Sequence, residues 1–432
     1  MHREREWADS AMWWHVYPLG FTGAPIRERR GGQATTHRLT RIEAWLDHVV
    51  ELGLNGVVLG PIFASSTHGY DTIDYFRIDP RLGDDADVDR LLAAAHERGI
   101  RVVLDGVFNH VGREHPAFHE ALTTGSSDLF RVGANGSVEV FEGHEALVTL
   151  DHSSDAVVAL VVDVMDHWLE RGIDGWRLDA AYSVPRAFWA RVLPAVRERH
   201  PHAWFLGEVI HGDYAHIVTE STMDTVTQYE LWQGIWHGIA DDNLFELQHA
   251  IGRNNDLLAG FVPYTFVGNH DVTRIASAVG PDFVPHALAV LFTVAGTPAV
   301  YAGDEYGATG IKEARLGGDD AVRPEMPEAP TPREQLDPAA ERMLSLTQRL
   351  IALRRRHPWL TRAHTDTVHM ANGTIVLRTA TSAEAIVTAL NITDEDVILP
   401  AADASAVLAG EGAALHGATL SLSPRGWAVL GR

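Results

Sequence analysis

Polar residues follow several short apolar runs of this sequence, at points where buried strands would end. Arg177 and Asp179 are two positions apart, so both side chains lie on one side of a strand. Several carboxylates beside a cation and two histidines suit glycoside hydrolysis, in which one carboxylate attacks the anomeric carbon and another protonates the leaving oxygen. The candidates are Asp105, Asn109, His110, Arg177, Asp179, Glu208, Asn269, His270 and Asp271.

The two carboxylate functions require different pKa values, because the acid must hold a proton while the nucleophile is ionised. Arg177 beside Asp179 predicts that Asp179 stays charged. Glu208 follows an apolar run and is the better candidate for the protonated acid. A simpler interpretation stays open, since a single Asp or Glu at a strand end is more often a helix N-cap. The combination at four strand ends favours catalysis.

The elements that position these residues alternate between buried strands and amphipathic helices. Eight such units predict an α/β fold with a closed (β/α)₈ TIM barrel, in which active-site groups lie at the C-terminal strand ends. An open doubly wound sheet is the alternative, but its glycine-rich fingerprint is absent. The predicted strands cover residues 16–19, 56–60, 101–107, 175–180, 203–209, 223–229, 264–270 and 298–303.

The helical periodicity and the later sequence pattern predict three domains. Helices are expected over 41–53, 87–99, 154–171, 186–200, 285–296 and 341–357. Helical segments are also expected after the strand 223–229, up to about residue 258. Residues 1–109 and 152–357 form the predicted barrel, and residues 110–151 an inserted small domain with weak strand signals near 137–141. After Pro358, short β-branched runs around the Asn372–Gly373 turn predict a C-terminal antiparallel β-sandwich over 358–432.

Four sequence blocks carry a specific resemblance, and supporting blocks span most of the predicted barrel. They are DGVFNH at 105–110, GWRLDAAY at 175–182, GEV at 207–209 and VGNHD at 267–271. The supporting blocks are VYP at 16–18, HGYDTIDYFRIDPRLGD at 68–84 and GTPAVYAGDEYG at 296–307. In this order they resemble the α-amylase superfamily, glycoside hydrolase family 13.

The resemblance implies a role for each matching residue. Asp179 is the expected nucleophile, Glu208 the general acid/base and Asp271 the stabiliser of the transition state. No cofactor is required; calcium is possible but not indicated, although the position of Asn109 is a calcium ligand in some members. His115 and His119 have metal-ligand spacing, but no carboxylate motif completes a site with His110, so no metal site is predicted. The expected substrate-binding residues are Tyr70, Asp71, His110, Arg177 and His270.

The substrate expectation follows from the region 160–238 and the loop 319–327, which most resemble cyclomaltodextrinases and neopullulanases. Tyr182 and Ser183 stand where typical α-amylases have Lys-His, which disfavours endo-action on long starch. We expect cleavage of α-1,4 bonds in short or cyclic malto-oligosaccharides, with cyclic maltosyl-maltose as a narrower candidate. A glucanotransferase using the same covalent intermediate and a non-catalytic scaffold are the alternatives.

The composition limits the partners and the compartment. The chain has 432 residues, a formal net charge of −23 and no cysteine. The negative charge opposes binding to nucleic acid and anionic membranes but is compatible with a neutral α-glucan oligosaccharide. Disulfides and cysteine-ligated metals are excluded. No long apolar segment or signal sequence is visible, so we expect a cytoplasmic protein without membrane contact, with a homo-oligomer left open.

Overall fold

Eight parallel strands form one sheet that closes on itself. The computed structural model describes residues 3–27, 34–133, 137–402 and 404–431. Each strand pairs with its neighbour in sequence, and the eighth also pairs with the first, Trp13 lying opposite Ala299. A parallel bridge from Thr227 to Tyr264 joins the sixth and seventh strands. The strands are Trp13–Val16, Gly56–Leu59, Arg101–Gly106, Gly175–Leu178, Trp204–Gly207, Thr225–Val226, Tyr264–Phe266 and Thr297–Tyr301.

Helices cover the outside of this barrel, which confirms the (β/α)₈ prediction. The barrel strands are buried on both faces, as continuous apolar runs predict. Polar caps start several helices; Asp84, for example, forms a reciprocal capping box with Asp87. None of the helices among the described residues is long and apolar enough to cross a membrane. The α-helices up to the C-terminal sheet are Pro18–Phe21, Leu39–Ala44, Leu46–Leu52, Asp85–Glu97, Pro116–Thr124, Asp155–Glu170, Arg186–Arg199, Tyr214–Ser221, Tyr229–Ala240, Leu244–Leu257, Ile275–Val279, Val284–Thr293 and Pro338–Arg356.

Two predictions near the N-terminus are wrong. The first strand is Trp13–Val16, not 16–19, because Pro18 opens the short helix Pro18–Phe21. Proline at the first helical position is favoured by its fixed φ and lacks the N–H that a strand ladder needs. The helix predicted over 41–53 is two helices that meet at Trp45, which ends one and caps the next.

The segment after the third strand holds a small antiparallel pair beside the barrel mouth. His110–Gly112 pairs with Leu147–Thr149, so the two ends of the segment lie side by side. The weak strand signals near 137–141 correspond only to isolated bridges, such as Val140 with Val148. A 3₁₀ turn, Phe141–Gly143, lies between these features.

The C-terminal region forms a six-stranded antiparallel sheet. Its first hairpin turns at Asn372–Gly373, where Gly373 has φ +75°. Two long strands were not predicted; one of them, the alanine- and glycine-rich 406–416, has Val407 as its single β-branched residue. The Oγ1 atoms of Thr293 and Thr388 lie 2.7 Å apart and link this sheet to the barrel. The strands are His364–Ala371, Thr374–Ala380, Ala385–Asn391, Val397–Pro400, Ala406–His416 and Thr419–Gly431. The exact domain limits stay a prediction.

Candidate active site

One guanidinium links the ends of barrel strands three, four and five. Arg177 donates through Nη1 to both oxygens of Asp105, at 2.8 and 2.7 Å, and lies 3.3 Å from Oδ1 of Asp179. Its Nη2 lies 2.7 Å from Oε1 of Glu208. All four side chains are buried. The strand ends therefore bring the predicted residues together, as the parallel barrel requires.

The chain makes a sharp turn directly after Asp179. Ala180 has φ +45°, a left-handed conformation that disfavours residues with a Cβ. Its N–H donates to Oε2 of Glu208 at 2.9 Å. A backbone donor aimed at a carboxylate is a charge-assisted hydrogen bond, stronger than a neutral one. The turn therefore fixes the carboxylate of Glu208 relative to Asp179.

Asp271 lies in a separate ion-pair cluster at the end of strand seven. Its Oδ2 is 2.9 Å from Nε2 of His270, and its Oδ1 accepts from Nη2 of Arg323 at 2.6 Å. Arg323 also donates to the carbonyl of His270 at 2.8 Å and stands over the ring of Tyr17 at 4.6 Å. Arg323 was not predicted as a site residue, although it belongs to the loop 319–327 that carries part of the resemblance.

A chain of hydrogen bonds connects Asp271 with Glu208. The N–H of Asp271 donates to Oδ1 of Asn269 at 2.8 Å, and Nδ2 of Asn269 donates to the hydroxyl of Tyr229 at 2.9 Å. That hydroxyl points to Oε1 of Glu208 at a longer 3.5 Å. Tyr229 was predicted as the end of a strand, and no signal in the sequence marked it as a neighbour of Glu208.

Burial and neighbouring charges shift the pKa values of Asp179, Glu208 and Asp271 in different directions. Burial raises the pKa of Asp179 well above its usual value, and the nearby Glu208 adds to this. Burial also raises the pKa of Glu208, against the opposing effect of Arg177. Burial disfavours the charged form of Asp271 too, but His270 and Arg323 outweigh it and hold the pKa of that carboxyl well below 3.8. The position of Arg177 beside Asp179 predicted a charged carboxylate. In the structure, burial and Glu208 raise the pKa of Asp179 by more than Arg177 lowers it.

Tyr70 and His270 form an aromatic wall beside the carboxylates. Their rings are parallel, with an interplanar angle of 3° and centroids 5.4 Å apart. The Tyr70 hydroxyl donates to Oδ2 of Asp105 at 3.0 Å and contacts Nε2 of His270. Tyr17, which was not predicted, lies parallel to both rings, with its centroid 5.8 Å from that of His270 and 6.5 Å from that of Tyr70. The wall presents flat apolar faces of the kind that pack against a sugar ring.

His110 and Asp71 lie nearby, but their polar atoms bind the protein. Nε2 of His110 is 2.9 Å from the carbonyl of Tyr70, and its Nδ1 is 3.0 Å from Nδ2 of Asn109. The two oxygens of Asp71 accept from the N–H and the hydroxyl of Thr67, at 3.0 and 2.6 Å. Both ring nitrogens of His110 thus have partners within the protein, and its hydrogen bond to a substrate hydroxyl stays a prediction.

A group suited to a metal ion lies elsewhere. Among the residues that the structure describes, the only three His, Asp or Glu side chains with ligand atoms within 4.8 Å are His37, Asp84 and Asp87. Asp87 already pairs with Arg90 at 2.5 Å. The expectation from the sequence that no metal is required stays a prediction.

The fold and these strand-end residues agree with one family. Residues 25–131 and 139–343 match the alpha amylase catalytic domain. The chain belongs to the alpha-amylase family. A cyclomaltodextrinase from a Bacillus species is 31% identical over 342 residues, which cover 70% of this chain and 60% of that relative. Neopullulanase 2 from Thermoactinomyces vulgaris is 30% identical over 387 residues, covering 81% and 64% respectively. The chain thus spans less than two thirds of these relatives.

A solved alpha-amylase family structure matches over nearly its whole length. The cyclic alpha-maltosyl-(1→6)-maltose hydrolase of Arthrobacter globiformis aligns with 99% of both chains, at a TM-score of 0.83 and 26% identity. A debranching enzyme from Nostoc punctiforme has a TM-score of 0.81 at 24% identity, which supports the fold alone. The barrel and the C-terminal sheet of this chain thus have the arrangement of a solved family member.

Proposed function

We propose that the chain is a retaining α-glycoside hydrolase that cleaves α-1,4-glucosidic bonds in short or cyclic malto-oligosaccharides. The observation that carries the proposal is the joint contact of Arg177 with Asp179 and Glu208, at 3.3 and 2.7 Å. Arg177 also binds Asp105, so three buried carboxylates surround one cation, which favours a state in which Asp179 and Glu208 share a single proton. One protonated and one ionised carboxyl are what double displacement needs.

In the first step, an oxygen of Asp179 attacks the anomeric carbon while Glu208 gives its proton to the glycosidic oxygen. The bond from the anomeric carbon to that oxygen breaks, and the leaving sugar departs with a free hydroxyl. A covalent glycosyl ester on Asp179 remains. Glu208 is held for this task by the N–H of Ala180 at 2.9 Å and by Arg177.

In the second step, Glu208 is ionised and removes a proton from water. The water oxygen attacks the anomeric carbon and displaces Asp179, so the original configuration is restored. A sugar hydroxyl in place of water would give transfer instead of hydrolysis. The two reactions therefore share every residue of the cluster, and only the acceptor differs.

The remaining predicted residues stabilise the reacting sugar. Asp271 keeps a negative charge, because His270 and Arg323 offset its burial, and this charge stabilises an oxocarbenium-like transition state. Tyr70 provides a flat face beside it. His110 and Asp71 act through the loop around Tyr70, since their polar atoms bind Tyr70 and Thr67.

The substrate class is supported by the relatives. A cyclomaltodextrinase and a maltogenic alpha-amylase are among the similar sequences. The protein whose structure aligns with 99% of both chains is a cyclic alpha-maltosyl-(1→6)-maltose hydrolase. We therefore propose that cyclic maltosyl-maltose is the preferred substrate within the wider group of short and cyclic malto-oligosaccharides.

Two variants test the catalytic roles. Asp179→Ala and Glu208→Gln should each lower kcat/KM on maltotriose at least about 1000-fold, because each removes one of the two required carboxyls. Glu230→Gln is the matched control, since Glu230 pairs with Arg253 at 3.1 Å on an outer helix. Near wild-type activity in either active-site variant would contradict the assignment.

A product analysis separates hydrolysis from transfer and identifies the substrate. The protein is incubated with linear, cyclic and branched α-glucans, including cyclic maltosyl-maltose, and the products are separated by chromatography. Fresh product examined by proton NMR should carry the α-anomeric configuration. Oligosaccharides longer than the substrate would indicate a glucanotransferase, and an initial β-anomer would exclude the proposed double displacement.

A further inference from the structure

The 3₁₀ turn Phe141–Gly143 of the inserted segment contacts the active site at two points. The ring of Phe141 stacks on His110, with centroids 4.7 Å apart and an interplanar angle of 17°. The next residue, Glu142, accepts a hydrogen bond from the hydroxyl of Tyr182 at 2.9 Å. The turn therefore spans from the third strand end to the loop that follows Asp179.

The turn has a fixed base and a strained tip. Val140 bridges to Val148, next to the antiparallel pair that holds both ends of the segment. Glu142 has φ +48° and ψ +32°, a left-handed conformation that is unfavourable for a residue with a Cβ. Strained residues persist where surrounding contacts hold them, and they cluster at ligand clamps. Here the holding contacts are the Phe141 ring and the Tyr182 hydroxyl.

Tyr182 is attached to the strand of the proposed acid. Its N–H donates to the carbonyl of Glu208 at 3.2 Å, and its half-buried ring lies 6.0 Å from that of His211. The acid must reach the glycosidic oxygen, so the leaving sugar lies on the Glu208 side of the reacting sugar. The Tyr182–Glu142 contact therefore stands beside the path of the leaving part of the substrate.

We propose that Glu142 and Tyr182 form a bridge across the leaving-group side and thereby select substrates whose leaving part is short. This rests on the proposed function and narrows its substrate class. A glucan that continues past the first leaving sugars must break the bridge or go around it. A short leaving part fits beneath the bridge without breaking it. The bond is exposed, so the selection is a bias in rate and affinity and not an absolute block.

The test compares a short with a long linear substrate. The ratio of kcat/KM on amylose to kcat/KM on maltotriose is measured for wild type, Tyr182→Phe and Glu142→Gly. Tyr182→Phe keeps the ring and removes the donor; Glu142→Gly removes the acceptor and relieves the left-handed strain. We expect the ratio to rise about threefold in Tyr182→Phe and about tenfold in Glu142→Gly, the range of a single lost contact.

Glu145→Gln is the matched control. Glu145 lies in the same segment and pairs with Arg113 at 3.2 Å, with 83% of its side chain exposed. The ratio should stay at the wild-type value in this variant. An unchanged ratio in both bridge variants overturns the inference. A fall in the ratio also overturns it, because the two side chains would then bind the long chain and not exclude it.

A binding measurement keeps this inference separate from the proposed function. The same variants are made in a Glu208→Gln background, and the dissociation constants for maltotriose and amylose are compared. Absence of wild-type hydrolysis on all α-glucans would overturn the proposed function, while the binding ratio would still decide the role of the bridge. Melting temperatures of all variants show whether a change reflects local opening or general unfolding.

Discussion

Two arginines of this chain are equally buried and have opposite surroundings. Arg177 and Arg354 each expose 3% of their surface. Arg177 faces the carboxylates of Asp105, Asp179 and Glu208 at the barrel mouth. Arg354, near the end of the helix Pro338–Arg356, donates only to main-chain oxygens, which belong to Phe292, Val294 and Gly296. One cation therefore meets several charges, and the other meets neutral dipoles.

The pKa values of the two guanidinium groups are shifted in opposite directions. Burial lowers the pKa of Arg354 to about 9, since no carboxylate in the described part of the chain compensates for the lost water. For Arg177, Asp105 and Glu208 outweigh burial and raise the pKa well above its usual value. The carboxylates around Arg177 exceed its single charge, which a purely structural site would avoid. This surplus of buried negative charge is the physical mark of the functional region.

Replacing each arginine by lysine should have the largest effect and should separate the two regions. Arg177→Lys should lower kcat/KM on maltotriose about 1000-fold, because one ammonium cannot hold Asp105 and Glu208 in the geometry that the planar fork allows. Arg354→Lys should leave kcat/KM of the folded protein near the wild-type value. Steady-state kinetics on both purified variants measure the difference. A loss below tenfold in Arg177→Lys would mean that the cluster tolerates a point charge.

Removing the charge at the structural site should affect folding and not catalysis. Arg354→Met leaves buried carbonyls without their donors, which should cost about 3 kcal/mol of the free energy of unfolding. Urea unfolding followed by tryptophan fluorescence measures this change, and kcat of the folded fraction should be retained. Equal losses of stability and kcat would show that the last helix also supports the active site.

Sequence patterns predicted the barrel because its strands are continuous apolar runs. The run Gly56–Leu59 is buried along its whole length, so its composition alone marks it as a strand. The first strand was misplaced, because the apolar residues after Val16 continue into a helix started by Pro18. The sixth strand has only two residues, Thr225–Val226, and so short a pairing depends on its neighbours. Local composition cannot give such boundaries.

The residues alone predicted the site where it lies at strand ends, whereas Tyr70 and Asp71 were predicted only from the family resemblance. Arg177 lies within the fourth strand, Asp179 and Glu208 follow the fourth and fifth strands directly, and parallel strands bring their ends together. Arg323 and Glu142 come from loops that fold back over the mouth, and their contacts with Asp271 and Tyr182 link residues 52 and 40 positions apart. Nor did any sequence pattern indicate that Nε2 of His110 contacts the carbonyl of Tyr70, which lies 40 positions away along the chain.

A final pair of substitutions compares Asp179, which is buried, with Asp174, which is partly buried and precedes the same strand. Burial and Glu208 raise the pKa of Asp179, so its carboxylate destabilises the folded state above that pKa. Asp174 is partly buried, and His96, the N–H of Val102 and Arg101 together outweigh this burial and lower its pKa. Asp179→Asn should therefore raise the free energy of unfolding by about 1 kcal/mol at neutral pH, and Asp174→Asn should lower it by a similar amount.

The changes in the free energy of unfolding caused by Asp179→Asn and Asp174→Asn have opposite signs, and both depend on pH. A raised folded-state pKa gives stability at low pH that is lost as the pH rises through it, so the gain in Asp179→Asn should vanish near pH 4. A lowered folded-state pKa gives stability above the usual value of 3.8 that is lost as the pH falls through the folded-state pKa, so the loss in Asp174→Asn should shrink only below pH 3.8. Thermal unfolding between neutral and acid pH measures both. A destabilised Asp179→Asn at neutral pH would mean that Arg177 compensates this carboxylate fully, which would remove the charge surplus that distinguishes the two arginines.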